Sequence, residues 1–291
     1  SQFYDRIVRD YFAEDGLFKG AIYQPSSYET VADESGLDME GNRVFQQQRN
    51  LFDFMRRLLV KRFESSFGAF QKTIDRFIHV HEIVLQFIEN TEGKYILDRN
   101  LMEKIYEYDE DEILEVLYKF ENELLTKKTP KNTTVYKIKD FQKADEFILD
   151  IQKDLKLFKK IRQEIKDEKL VENDPKRETI YQKVTEILKK DSNRKIILFT
   201  EYVDTVLHLE PFFRDKLGSK VLICDGKVSK ALAKDLERNF NAQHEGTQYD
   251  NFQVLITSDK LSEGFNLNRA GVIINYDIPW NPTRVIQRVG R

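Results

Sequence analysis

From Val44 to about Ile88 the apolar side chains fall at Leu51, Met55, Leu58, Leu59, Phe63, Phe67, Phe70, Ile74, Phe77, Ile78 and Leu85. Steps of three and four build one apolar face on a helix. No proline interrupts the chain between Pro25 and Pro130. Gly68 costs about 1 kcal/mol relative to alanine inside a helix, so the pattern allows one kinked helix or two in succession. Charged helical patterns follow over 101–126 and 140–171, separated by loop residues around Thr129-Pro130-Lys131-Asn132. The first 43 residues carry no such period and predict an irregular connection, with Gln24-Pro25-Ser26-Ser27 and Asp33-Glu34-Ser35-Gly36 as its loosest stretches.

Past Asp174-Pro175 the pattern changes. Asp174 is placed to cap a helix and Pro175 suits its first position, predicting a helix to about Lys190. Continuous apolar runs then appear at Lys195–Thr200, Val221–Cys224, Phe252–Thr257 and Val272–Tyr276. Between them lie helical stretches from Val203 to Leu217, which ends near Gly218 and which Pro211 would kink or split, and from the Ser229 cap to Phe240. Strands apolar on both faces and separated by helices predict a parallel sheet covered on both sides. The chain therefore divides into an irregular connection (1–43), a helical domain (44–173) and an α/β lobe (174–291). In such sheets ligands lie at the carboxyl ends of the strands. Those ends carry Thr200-Glu201, Asp225-Gly226, Thr257-Ser258 and Asp277, with Pro279-Trp280-Asn281-Pro282 just beyond.

Composition narrows the class. With 40% hydrophobic and 33% charged residues over 291 positions, the chain has the make-up of a globular protein. No apolar run reaches the length of a membrane span, and the N-terminus lacks an apolar signal core, so a cytoplasmic location without membrane contact is expected. The net charge of -3 excludes a globally basic nucleic-acid coat but leaves room for a local basic groove. Lys227, Lys230 and Lys234 after Gly226 are candidates for such an edge. The single cysteine, Cys224, closes an apolar run and reads as a buried thiol. His79 and His81 stand two apart on a helix, point to different faces and do not share a metal; no metal site is expected. The acidic run Asp109–Glu112 and the Lys-rich stretch 152–170 read as solvated helix surface.

Four strand-end motifs occur in a fixed order. They are Ile197-Leu198-Phe199-Thr200-Glu201-Tyr202, then Cys224-Asp225-Gly226, then Leu255-Ile256-Thr257-Ser258 leading to Ser262-Glu263-Gly264-Phe265-Asn266-Leu267. The last is Ile274-Asn275-Tyr276-Asp277 through Trp280-Asn281-Pro282 to Gln287-Arg288-Val289-Gly290-Arg291. Over about residues 194–291 this series resembles the second RecA-like lobe of a superfamily-two helicase of the Swi/Snf type, of the bacterial RapA-like kind. Leu58–Ser66 is similar, more loosely, to the helical connector between the two lobes of such enzymes.

The resemblance implies that Thr200, Gly226 and Thr257 meet a nucleic-acid backbone, where hydroxyls and an uncovered amide donate to phosphate. Read without it, Thr200 is a cap for the next helix and Gly226 a turn. It implies that Glu263, Gly264 and Asn266 lie beside the nucleotide, with Asn266 standing where many relatives carry a ribose-contacting aspartate. Gln287 and Arg288 open the final motif, and Arg291 aligns with the first of two arginine fingers, which neutralise charge developing on the γ-phosphoryl group. Without the motif series, Arg288 and Arg291 would read as a solvated helix face.

The implied cofactors are ATP and a Mg²⁺ held by a first lobe absent from this chain, since no Gly-x-x-x-x-Gly-Lys-Ser/Thr stretch occurs. The implied partners are double-stranded DNA and that first lobe. A chain with only the second lobe and connector is expected neither to hydrolyse ATP nor to translocate. The alternative is a non-catalytic helicase-like scaffold that binds nucleic acid or protein.

Overall fold

The computed structural model describes residues 2–29, 39–98, 133–226, 228–261, 264–279 and 281–290, together with positions 115, 119, 122 and 124. The chain forms two compact units, one of residues 1–62 and 71–168, the other of residues 63–70 and 169–291.

The first unit is mostly helical, as expected. It takes its core from α1 (Met39–Ser65, up to residue 62), α2 (Phe67–Asn90) and α3 (Ala144–Asp167). The apolar stripe is the buried one: Leu51, Met55, Leu58 and Leu59 on α1, and Ile74, Phe77 and Ile78 on the part of α2 from residue 71, are all within 3% of full burial. Two features differ from the sequence expectation. Residues 2–29 fold into short helical turns rather than a loose connection, and bury Phe3, Tyr11, Phe12, Phe18, Tyr23 and Tyr28. Asp154 of α3 holds the segment by accepting the Lys19 and Gly20 amides at 2.7 and 2.8 Å. Burial pushes its carboxyl up to about 7, against the pull of those amides. The second difference is an antiparallel pair, β1 (Lys94–Asp98) with β2 (Thr133–Lys137), in register Lys94↔Lys137. Of the expected helix over 101–126 only positions 115, 119, 122 and 124 are described, all four helical; its acidic run, the 129–132 loop and Asp33–Gly36 lie outside the described residues.

The second unit is the expected α/β lobe. Its four strands, β3 (Ile196–Thr200), β4 (Val221–Cys224), β5 (Val254–Ser258) and β6 (Val272–Asn275), are all parallel in the order β4-β5-β3-β6. Alternate residues of β3 serve opposite faces. Ile196 and Leu198 pack with Val184 of α4 (Pro175–Lys190) and with Val206, Leu209 and Phe213 of α5 (Val203–Leu217). Ile197 and Phe199 pack with Leu236 and Phe240 of α6 (Lys230–Phe240). A sheet covered on both faces needs strands without polar alternation, which is why these runs are continuously apolar.

The caps follow the expected chemistry. Asp174 accepts the Lys176 and Arg177 amides at the start of α4, and Ser229 accepts the Leu232 amide at the start of α6. Pro211 does not split α5; it lies on the exposed face of the helix. The interruption between α1 and α2 falls at Ser66, whose hydroxyl accepts the Ala69 amide at 3.0 Å. Gly68 has a packing reason instead: a Cβ there would sit 2.5 Å from His208 Nδ1. His208 Nε2 in turn meets Asp174 at 3.1 Å. Among the described residues no helix is long and apolar enough to cross a membrane.

Candidate functional site

The carboxyl ends of β3, β5 and β6 gather a polar cluster on the lobe. Its hub is Asp277, two residues beyond β6, with a side chain 9% exposed. One carboxylate oxygen accepts the Glu201 amide at 2.7 Å; the other accepts Ser65 Oγ at 2.6 Å and the hydroxyl of Thr200. Ser65 Oγ also lies 2.8 Å from Thr205 Oγ1, which lies 3.0 Å from Ser66 Oγ. An ionised carboxylate only accepts, so the arrangement that satisfies every hydroxyl runs one way, Ser66 to Thr205 to Ser65 to Asp277. Lys176 donates to the Glu64 and Ser65 carbonyls at 2.8 and 2.9 Å and lies 4.3 Å from the centre of the Tyr276 ring. Burial lowers its pKa, although Asp277, Asp174 and Glu64 work the other way.

The final helix, α7 (Pro282–Val289), is capped by Asn281, which accepts the Thr283 amide at 2.9 Å. Arg288 is fully buried beneath it. Its guanidinium forks onto Asp259, Nε to Oδ1 at 2.6 Å and Nη2 to Oδ2 at 2.7 Å. Nη1 donates to Asn275 Oδ1 at 2.9 Å and to the Asp277 carbonyl at 3.1 Å. The group lies 5.5 Å from the centre of the Phe199 ring. Arg288 thus touches residues of three strands or their extensions. It does not lie on a solvated helix face. Gln287 is exposed on the same helix, and Arg284 lies 3.8 Å from Glu201 and 3.9 Å from Asp259.

The other sequence-derived candidates separate into buried and open groups. Thr200 is fully buried, and besides donating to Asp277 it accepts the Tyr202 amide at 3.3 Å, as a cap for the following turn would. Thr257 is also fully buried and donates to the Ser258 carbonyl at 3.1 Å. Gly226 has φ +97°, a conformation that favours glycine, and a Cβ there would stand 3.1 Å from Lys260 Cβ. Gly264, at φ +114°, is exposed with open space on its side-chain face. Asn266 is half-buried and donates to Gln243 Oε1 at 3.2 Å. Lys230 and Lys234 lie on the exposed side of α6. Glu263, Ser262, Arg291, Trp280 and Lys227 lie outside the described residues.

Cys224 is buried, and burial raises its thiol pKa. His81 is buried with Nδ1 2.7 Å from the Phe77 carbonyl, and burial lowers it to about 4, while His79 faces outward. Among the described residues no cluster of His, Cys, Asp and Glu is arranged to hold a metal ion.

Sequence reasoning placed Asp277 at a strand end without seeing its role, and missed Asp259, Asn275, Ser65 and Thr205. The available signal was an acidic or amide side chain at or just past the ends of the runs that form β5 and β6, namely Asp259, Asn275 and Asp277; nothing in the sequence pointed to Ser65 or Thr205.

Comparison with known proteins bears on residues in this lobe. Residues 179–291 match the family described as "Helicase conserved C-terminal domain". The ATP-dependent helicase YqhH of Bacillus subtilis (strain 168) is 37% identical over 110 residues, covering 37% of this chain and 18% of that protein. The RNA polymerase-associated protein RapA of Vibrio vulnificus (strain YJ016) is 33% identical over 106 residues, covering 36% of this chain and 10% of that protein. The chain thus corresponds to a minor part of the length of these relatives. The Pyrococcus furiosus Hef helicase domain gives a TM-score of 0.41 at 15% identity, covering 100% of this chain and 49% of that one.

Proposed function

We propose that this chain, which carries a helicase conserved C-terminal domain over residues 179–291, supplies the second motor lobe of an ATP-dependent translocase acting on double-stranded DNA. The observation that supports this reading most directly is the ordered set of strand-end motifs on one parallel sheet edge, closed by a helix that ends in Gln287-Arg288-Val289-Gly290-Arg291.

On this reading, ATP binds between this lobe and a first lobe carrying the phosphate loop and the Mg²⁺ ligands. Gly264 and Asn266, with Glu263, border the nucleotide. Gln287 and Arg291 face the transferred phosphoryl group, and Arg291 neutralises the charge that develops on it. Electrostatic stabilisation of this kind contributes about 10³–10⁵ in rate where an arginine finger has been removed from other phosphoryl-transfer enzymes. The absence of a side chain at Gly226 lets a nucleic-acid phosphate approach the backbone there; its amide is bonded to the Cys224 sulfur in this structure and donates to phosphate only on leaving it. Thr200 and Thr257 are buried in this structure, so they reach a backbone only after the strand ends rearrange; Thr200 otherwise serves by bonding Asp277 and the Tyr202 amide.

The test is ATP turnover by this polypeptide and by a longer one extended through an upstream lobe and past Arg291. The reading predicts no turnover by the 291 residues alone and turnover by the longer chain. Hydrolysis by the short chain, or none by a folded longer chain with an intact phosphate loop, overturns it; the second result would favour a helicase-like scaffold.

A further inference from the structure

We infer that Arg288 is a positioning residue, locked by Asp259 and Asn275, which sets the place of the final helix and so of the groups meant to meet the nucleotide. The inference rests on the motor reading for its functional meaning, but its structural half stands without it.

Arg288 is the one buried side chain of α7, while Ile286 and Val289 on that helix are 70% and 66% exposed. An eight-residue helix is too short to hold itself in water, and this one has little apolar surface anchoring it. Its attachment therefore depends on the guanidinium. Four hydrogen bonds, two to Asp259, one to Asn275 and one to the Asp277 carbonyl, occupy four of its five N–H groups. A guanidinium so committed, with no exposed surface, does not reach a phosphate without leaving the strand ends. Its planar fork matches the carboxylate in a way that an ammonium does not. Gln287, one residue earlier, is exposed. Arg291 follows three residues later in sequence, so a shift of Arg288 is passed along the chain to both.

Two experiments decide it. In the first, amide hydrogen exchange is followed on the 291-residue chain for wild type, Arg288→Ala, Arg288→Lys and Asp259→Asn. The lock predicts that residues 283–290 exchange at least tenfold faster in all three variants, while β3 and β5 amides keep their protection. Unchanged protection of α7 in Asp259→Asn overturns the inference, and the retained β3 and β5 signal shows that the lobe is folded.

In the second, steady-state ATPase is measured in the longer protein. The lock predicts that Asp259→Asn lowers kcat about as much as Arg288→Ala, that the KM for ATP stays within twofold, and that the double variant loses no more than either single one. Arg288→Lys gives no rescue. Loss of turnover on Arg288→Ala alone, with Asp259→Asn at wild-type kcat, makes Arg288 a phosphate ligand and overturns the inference. If the wild-type longer protein shows no turnover, the motor reading fails, and the exchange experiment still decides the lock.

Discussion

Replacing Asp277 by asparagine changes one oxygen and tests the hub of the strand-end cluster. The carboxylate accepts three hydrogen bonds, from the Glu201 amide, the Thr200 hydroxyl and Ser65 Oγ. An amide keeps one acceptor oxygen, which can still serve the Glu201 N–H, but presents an NH₂ group to the two hydroxyls. Hydrogen bonds to a charged partner contribute about 1.5–3 kcal/mol each. Two are lost, and the hydroxyls recover part of the loss by turning to accept, so the expected cost is about 2–4 kcal/mol. That corresponds to roughly a 30- to 1,000-fold rise in local opening. The chain has two compact units, so a single unfolding midpoint would mix them. Hydrogen exchange resolves the region instead. The amides of Glu201, Tyr202 and Tyr276, the last bonded to the Phe199 carbonyl at 2.8 Å, should lose protection by this factor in Asp277→Asn. Asp215→Asn, at a side chain 76% exposed, should stay within about 0.5 kcal/mol of wild type. Equal protection in Asp277→Asn and Asp215→Asn would refute the cluster as a source of local stability.

Other outcomes follow from the packing. Gly68→Ala should destabilise the lobe, since its Cβ would sit 2.5 Å from His208 Nδ1; overpacking costs about 1–3 kcal/mol, of which the better helix propensity returns about 1. Amide exchange in the lobe should be faster, and His208→Ala in the same chain should relieve part of it. Asp154 has a folded-state pKa of about 7, above the 3.8 of an ordinary aspartate. The folded state therefore binds the extra proton between these values, and this group's contribution to stability falls as pH rises from about 4 to 7. Asp154→Asn should flatten that part of the stability profile of the helical unit, measured by hydrogen exchange at pH 5 and 7.5; an unchanged slope would contradict the assignment. Asp174 behaves in the opposite sense. Burial works to raise its pKa, but the His208 contact and the α4 amides outweigh it and hold the carboxyl below its usual range. Stability from this group is present above about pH 4 and is lost on acidification. Asp174→Ala should cost about 0.5–2 kcal/mol at neutral pH through the lost cap alone.

The lobe was legible because its elements are defined locally. β3 and β5 are buried along their whole length, with polar side chains only at their carboxyl ends, so their apolar runs stand out in the sequence, and Asp174, Ser229 and Asn281 mark helix starts by side-chain chemistry that acts within three residues. The β1–β2 pair was not legible. Lys94–Asp98 has only three consecutive apolar residues, and its partner lies some 40 positions away, where nothing in either segment names the other. Residues 2–29 were misread because their burial depends on aromatic contacts with α3, such as Phe18 against Phe158 at 5.4 Å, rather than on a period of their own. Arg288 shows the same limit at the site. A helix with arginine beside glutamine reads as exposed until the sheet supplies Asp259 and Asn275 to neutralise and bond the guanidinium.

The central claim is that this lobe completes a nucleic-acid-driven ATPase, and Arg291 tests it most directly. In the longer protein, ATP turnover should rise on adding double-stranded DNA, and Arg291→Ala should abolish that turnover by about 10³-fold or more while nucleotide binding persists. DNA-stimulated turnover left intact by Arg291→Ala would contradict the account.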